Sequence, residues 1–458
     1  MNAKWLTISH IKSSDTSASP SAPRGADRGH VEWRIEPGMD DPSTTAESSG
    51  VYSPLTFPVS QPGRTLARPP EASVETTAAA AMTDDRCLTD LADVDDLLQR
   101  LEARSLFLVA DETAYEFSGA RAKLAPVTAR YSTTLFTGFE PNPKLRDVER
   151  GIEQFRQSRA DVVLAVGGGT AIDIAKLIVV LSDQPSGPAA AVRNQSAASL
   201  RPACPLIVAP TTSGSGSEAT QFAVLYVDGV KHSVDHPSLL PAHCVLDASL
   251  TARLPASITM QCGLDAFSQA VESMWSVRCT DASLQDASEA AQLALNHLKA
   301  AVYAPTPAAR AAMLRASHLA GRAINRTRTT APHAISYALT SDHGVPHGQA
   351  VALTLGPMLV HNAGITADDS NDPRGPQHVR QRIGRILDLL GCRTPEEGRE
   401  AIKAFVKAVG GETRLGAVGI TEPEQIASIV GKVNSERLGN NPRRLTAEQL
   451  SALLQSIR

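Results

Sequence analysis

Residues 161–181 read DVVLAVGGGTAIDIAKLIVVL. An apolar run enters Gly167-Gly168-Gly169-Thr170, and a second apolar run with helical spacing leaves it. A short unbroken apolar run that ends at a glycine turn is the pattern of a parallel strand buried on both faces. Glycines let a backbone approach a pyrophosphate closely. The helix that follows then offers unpaired N–H groups and the positive end of its dipole. The stretch predicts strand, turn and helix around a nucleotide. Its spacing is neither GxGxxG nor a phosphate loop ending in GK[ST].

The neighbouring segments repeat the alternation. SLFLVAD (105–111), TTLFTGF (133–139) and PLIVAPTT (205–212) predict further strands. LTDLADVDDLLQRL (88–101) and NPKLRDVERGIEQFRQSR (142–159) predict helices. QFAVLYVDGVKHSV (221–234) predicts a hairpin turning at Asp228-Gly229. Residues 83–253 are therefore expected to form a Rossmann-like, mostly parallel α/β domain. After Leu254 the strands stop. Helical spacing recurs at 257–276, 284–303, 307–324, 330–340, 347–362, 375–391, 394–409, 423–433 and 446–457, so 254–458 is expected to be an all-helical domain. Residues 1–82 are rich in Ser, Thr, Pro, Ala and Gly and lack apolar periodicity. They read as a disordered tail, with Met82 an alternative start.

The 458 residues carry a net charge of −4, so no basic footprint points to nucleic acid. No apolar run reaches the roughly 18–20 residues of a membrane span. The six cysteines include no CxxC pair, which argues against a thiolate zinc site and a disulfide framework and for a reducing, cytoplasmic setting. A homo-oligomer, most simply a dimer, acting on a small molecule is expected.

RTTAPHAISYALTSDHGVPHGQAVAL (328–353) holds three of the twelve histidines, His333, His343 and His347. Neutral imidazole is the commonest protein ligand of a catalytic metal. In GLDAFSQAVES (263–273), Asp265 and Gln269 are four apart and share a helix face. A carboxylate between Leu264 and Phe267 is costly unless paired, which points to a ligand. A second polar turn, Thr211-Thr212-Ser213-Gly214-Ser215-Gly216-Ser217-Glu218, also follows a strand and suits ribose, phosphate or nicotinamide. Asp111, at the end of its strand, suits either ribose hydroxyls, favouring NAD over NADP, or an N-cap.

Together with PNP (141–143), GGGTAIDIAK (167–176), PTTSGSGSEAT (210–220), HPSLLPAHCVLDASLTARLP (236–255) and PHAISYALTSDHGVPHG (332–348), these segments resemble the iron-containing (group III) alcohol dehydrogenase family. Relatives of that family include dehydroquinate synthase and glycerol dehydrogenase. The resemblance implies a dehydroquinate synthase-like fold and an NAD(P)-dependent alcohol dehydrogenase or aldehyde reductase. Asn142, Gly167, Gly168, Gly169, Thr170, Asp173, Thr211, Thr212, Ser215 and Ser217 would serve the nucleotide. Asp265, His333 and His347 would hold the metal, with Fe²⁺ the family expectation and Zn²⁺ its usual competitor. The fourth ligand is normally histidine and is Gln269 here, whose amide oxygen suits a hard cation. Tyr337 replaces a histidine often found near the substrate.

GLDAFSQAVESMWS, TRTTAPHAISYALTS and VNSERLGNNPRRLT narrow the resemblance to the branch that reduces phosphonoacetaldehyde to 2-hydroxyethylphosphonate in phosphonate biosynthesis. Arginine matches phosphonate oxygens in pairs, and Arg328, nearest His333, is the expected contact ahead of Arg326, Arg437, Arg443 and Arg444. Tyr337 and His343 are the side-chain candidates for the final proton. Competing readings are a general alcohol dehydrogenase, a dehydroquinate synthase-type lyase and a metal-free binding protein.

Overall fold

Alternate residues of each central strand face opposite ways, and both faces are buried. Phe107, Val109, Val163, Ala165 and Val208 enter one core; Leu106, Leu108, Val162, Leu164, Val166, Ile207 and Ala209 enter the other. That is why these strands read as continuous apolar runs. The computed structural model of the chain describes residues 86–184, 187–193, 200–433 and 438–458. The tail at 1–82 and Arg437 lie outside the described residues.

The α/β part runs β1 (Cys87–Leu88), α1 (Val94–Arg100), β2 (Ser105–Ala110), α2 (Glu112–Phe117), α3 (Ala120–Arg130), β3 (Ser132–Phe136), α4 (Leu145–Ser158), β4 (Val162–Gly167), α5 (Gly169–Leu181), α6 (Pro188–Arg193) and β5 (Leu206–Pro210). A hairpin, β6 (Phe222–Val227) and β7 (Val230–Asp235), and the short strand β8 (His243–Val245) follow. Six strands form one parallel sheet in the order β1-β8-β5-β4-β2-β3, and the hairpin is a separate antiparallel pair. α4 and α5 cover one face of the sheet, α1 to α3 the other. Register pairs Gly167 with Pro210. The glycine turn and the Thr211–Glu218 loop therefore leave the sheet side by side at the carboxyl edge of the strands, where open α/β sheets bind ligands.

From Ala256 onward every helix and strand among the described residues is helical: α7 (Ala256–Trp275), α8 (Asp281–Tyr303), α9 (Pro307–Thr327), α10 (Ala331–His343), α11 (His347–Ala363), α12 (Pro376–Leu390), α13 (Pro395–Ala408), α14 (Pro423–Lys432) and α15 (Ala447–Gln455). Several starts are written in the sequence. Thr306-Pro307 and Thr394-Pro395 place a threonine cap before a proline in the first turn, and the threonines accept from the N–H groups of Ala309 and Glu397. α7 is buried over most of its length, with Phe267, Met274 and Trp275 in the largest core. Each such side chain contributes about 1.5–3 kcal/mol by burial.

Two expectations need correcting. Periodicity missed the short strands β1 and β8 and the helices α2, α3 and α6, of which α3 carries Pro126 in its interior; two to six residues are too few to show a period. The argument against disulfides also fails. Register sets Cys87 opposite Cys244, and their sulfurs are joined as a disulfide across 157 residues of sequence. Cysteine spacing holds no trace of a pairing made by parallel strands so far apart in the chain.

Candidate active site

Helix α7 presents Asp265, Gln269 and Glu272 on one face, four and then three residues apart. All three are buried. His333 enters from the first turn of α10, and His347 opens α11 after Pro346. His333 Nε2 lies 3.3 Å from Asp265 Oδ1, and His347 Nε2 lies 3.8 Å from the same oxygen. The two imidazole centroids are 5.3 Å apart.

Three atoms here are buried without a hydrogen-bond partner: Asp265 Oδ1, Gln269 Oε1 and His333 Nε2. Such orphans are rare and costly in a folded interior. The ligand atoms of Asp265, His333 and His347 lie within 4.8 Å of one another, and with the Gln269 amide close by they are oxygens and nitrogens of the kind that bind a divalent cation. The donor set fits a metal. The other ends of these side chains are tied down. Glu272 is paired with His333 Nδ1 and accepts from the Thr330 N–H at 3.0 Å and the Thr330 hydroxyl at 2.8 Å. With Nδ1 occupied, Nε2 is the nitrogen left for the cation, the usual arrangement of a carboxylate behind a ligating histidine. Gln269 donates from Nε2 to the Ser215 carbonyl at 3.4 Å, and its Oε1 is buried without a hydrogen-bond partner.

Titration follows the same geometry. Burial alone would lower His333, but Glu272 and Asp265 raise it to about 9. A divalent cation would take the place of that proton between the two carboxylates. Burial, with the nearby charges of His333 and Lys231, lowers His347 to about 4 against the pull of Asp265. Burial pushes Asp265 up, but His347 and His333 outweigh it and hold the carboxyl below its ordinary value.

A cavity of about 800 Å³ opens on this cluster. From the α/β part it is lined by Asn142, Gly169, Thr170, Asp173, Ser215 and Ser217; from the helices by Asp265, Gln269, Arg328, His333, Tyr337 and His347. Gly167, Gly168, Thr211 and Thr212 are not among the lining residues; a Cβ on Gly168 would meet the Thr212 side chain at 3.4 Å. Asn142 has φ 63° and its N–H reaches the Thr170 hydroxyl at 3.4 Å. Asp173 spends both oxygens inside the protein, accepting from the Ser217 hydroxyl at 2.6 Å and the Val224 N–H at 2.9 Å. It fastens the second loop and the hairpin to α5. Asp111 caps α2 by accepting from the Ala114 N–H at 2.8 Å. Arg328 sits in the wall with its guanidinium paired to Asp235 at 2.7 and 2.8 Å. His343 ends α10, outside the cavity wall.

Two family models match consecutive parts of the chain: iron-containing alcohol dehydrogenase over residues 88–248, and the C-terminal model of the Fe-containing alcohol dehydrogenase family over 259–458. The chain belongs to the iron-containing alcohol dehydrogenase family. It is an oxidoreductase of the alcohol dehydrogenase type. A phosphonoacetaldehyde reductase of Streptomyces viridochromogenes is 38% identical over 311 residues, spanning 66% of this chain and 77% of that protein. The probable alcohol dehydrogenase EutG of Escherichia coli is 30% identical over 357 residues, 76% of this chain and 86% of the other. Among solved structures, a sulfoacetaldehyde reductase from Bifidobacterium kashiwanohense in complex with NAD⁺ superposes with a TM-score of 0.72 at 29% identity, covering 81% of this chain and 96% of that one.

Sequence reasoning missed several residues that this family member brings to the site. Glu272 carried a signal, since it stands seven residues after Asp265 on the same face. Lys231, Arg278 and Asn440 carried none. They line the cavity from β7, from the turn after α7 and from the C-terminal segment. Lys231 Nζ lies 3.7 Å from the Tyr337 ring centroid, and that ring stacks on His347 at 6.3 Å.

Proposed function

We propose that the enzyme reduces a small anionic aldehyde, phosphonoacetaldehyde, to its primary alcohol, 2-hydroxyethylphosphonate, with a nicotinamide cofactor. The overall change is aldehyde plus NAD(P)H and a proton to alcohol plus NAD(P)⁺. The observation that carries the reading is the Lys231 ammonium in the wall of the cavity that Asp265, His333 and His347 also line, with its Nζ over the ring of Tyr337. A cation there can hold a phosphonate while the carbonyl end of the same small molecule reaches the ligand cluster. Arg328 shares the wall, its guanidinium held by Asp235, and can add a second cationic contact to the same end of the substrate.

Asp265, Gln269, His333 and His347 would hold the cation, and the loops at Gly167–Thr170 and Thr211–Ser217 the dinucleotide. When bound, the metal supplies Lewis acidity toward a carbonyl oxygen and the nicotinamide supplies the hydride. The chain's own part is positional. Glu272 holds Nδ1 of His333 and so keeps Nε2 turned inward. Asp173 locks Ser217 onto α5 and keeps the cofactor loop in register with the glycine turn. Of the two side chains expected to deliver the proton, Tyr337 lines the cavity. NAD(H) is the inferred cofactor, by likeness to the sulfoacetaldehyde reductase in complex with NAD⁺; the Asp111 carboxylate is engaged in capping α2.

Steady-state turnover of phosphonoacetaldehyde and of a neutral aldehyde by Lys231→Met tests the proposal. KM for the anionic aldehyde is expected to rise at least ~10-fold, as for loss of a charge-assisted contact, and KM for the neutral one to stay unchanged. Equal effects on both substrates would favour the alternative, a general alcohol dehydrogenase like its EutG relative.

A further inference from the structure

A second cluster of metal-type ligands lies apart from the catalytic one. Cys87 on β1 and Cys244 on β8 are neighbours in the parallel sheet, with Cα atoms 4.7 Å apart. His318, on the buried face of α9, points at them, its Nε2 3.9 Å from Cys87 Sγ. The three ligand atoms all lie within 4.8 Å of one another. Behind the imidazole, Glu218 Oε1 stands 3.3 Å from His318 Nδ1. His318 and Glu218 are each only 3% exposed.

The sulfurs are joined as a disulfide in the structure, but a disulfide has no need of the other two groups. Burying an imidazole and a carboxylate together is costly unless something further is gained. A histidine held through one nitrogen by a buried carboxylate, with the other nitrogen facing two sulfurs, has the outer arrangement of a zinc–histidine site. We propose that in the reduced chain Cys87, Cys244 and His318 bind a soft divalent cation, Zn²⁺, as a structural site with Glu218 orienting the histidine. Cys87 is partly exposed, so water can complete the coordination. The site would tie the sheet to α9 directly beneath the cofactor loop, since Glu218 follows Ser217.

The chemistry balances. A thiol reductant transfers two electrons and two protons to the disulfide and is itself oxidised to a disulfide. Both cysteine thiols then release their protons to solvent as two S–Zn bonds and one N–Zn bond form. No part of this involves Asp265, His333 or His347.

The test uses the full chain carrying His333→Ala, which disables the catalytic ligand set. The chain is reduced under argon, freed of excess reductant and titrated with Co²⁺ and then Zn²⁺. A near-ultraviolet sulfur-to-cobalt charge-transfer band is expected, bleached by an equivalent of Zn²⁺. It should vanish when Cys87→Ser is added and weaken with His318→Ala. Glu218→Gln, which keeps the shape, should reduce Zn²⁺ affinity by about 10–100-fold. Far-ultraviolet circular dichroism shows whether each variant is folded, and the His318 and Glu218 variants serve if Cys87→Ser is not. Absence of the band in the reduced chain with its thiols confirmed free would overturn the proposal. So would a band indifferent to all three changes, or a disulfide that resists reduction while the chain stays folded.

Discussion

At the scale of single residues the site is an exercise in using up both ends of each side chain. Asp173 spends both oxygens on the protein, whereas His333 and Gln269 each spend one polar atom and keep the other buried without a hydrogen-bond partner. Glu272 is the clearest dependency. Glu272→Gln keeps the volume but removes the charge that balances His333, and it is expected to weaken metal binding by about 10–100-fold. Competition against a chromophoric chelator measures this, and unchanged affinity would remove Glu272 from the site. Asp265 and the two histidines were legible as ligand types because imidazoles clustered in a short window and a carboxylate sat in an apolar helix. Lys231 was not legible. A lysine in a hairpin strand reads as solvated until the fold sets it against Tyr337.

At the scale of elements, α7 and α11 approach closely enough to set His347 Nε2 3.8 Å from Asp265 Oδ1. Gly348, beside His347, makes that possible. A Cβ there would overlap the carbonyl oxygen of Gln261 and lie 3.0 Å from the Asp265 nitrogen. Those are backbone atoms and cannot turn aside as a flexible side chain would. Gly348→Ala is expected to push α11 away from α7, cost about 1–3 kcal/mol of stability and lower metal content in the purified protein. Normal metal content and an unchanged melting temperature would show that the helices have slack. The element boundaries themselves were largely readable. Thr-Pro starts and helical apolar spacing placed α7 to α15 to within a few residues. β1, β8, α2, α3 and α6 escaped because short elements and a proline-bearing helix leave little periodic signal.

At the scale of the molecule, helix α5, the segment that follows the Thr211–Glu218 loop and the hairpin are joined through one buried ammonium. Lys176 is fully buried and donates to the Thr220 carbonyl at 2.8 Å, the Thr220 hydroxyl at 3.1 Å and the Phe222 carbonyl at 2.9 Å. Lys176→Met removes three hydrogen bonds to buried or part-buried oxygens and is expected to cost about 2–4 kcal/mol of unfolding free energy. Burial, against the pull of Asp173 and Glu218, lowers the lysine from 10.5 to about 8. Below pH ~8 it is charged in both states and its contribution is constant. Between about 8 and 10.5 the unfolded chain holds more of the proton, so its contribution to stability rises with pH. The stability gap between wild type and Lys176→Met, from urea titrations across that range, should be flat and then widen. A gap that narrows instead would refute the sign.

The alternation of buried strands with helices, the glycine turn and the histidine-rich window were determined by the sequence alone, because burial on two faces, close approach to a phosphate and metal ligation each demand particular residue types locally. The tertiary structure alone decided which distant side chains meet. It joined Cys87 to Cys244 through strand register, set Glu272 behind His333, spent the charge of Arg328 on Asp235 and brought Lys231 to the cavity. Each is a contact between elements far apart in the chain, and its cost or gain arises only once both partners have left water together.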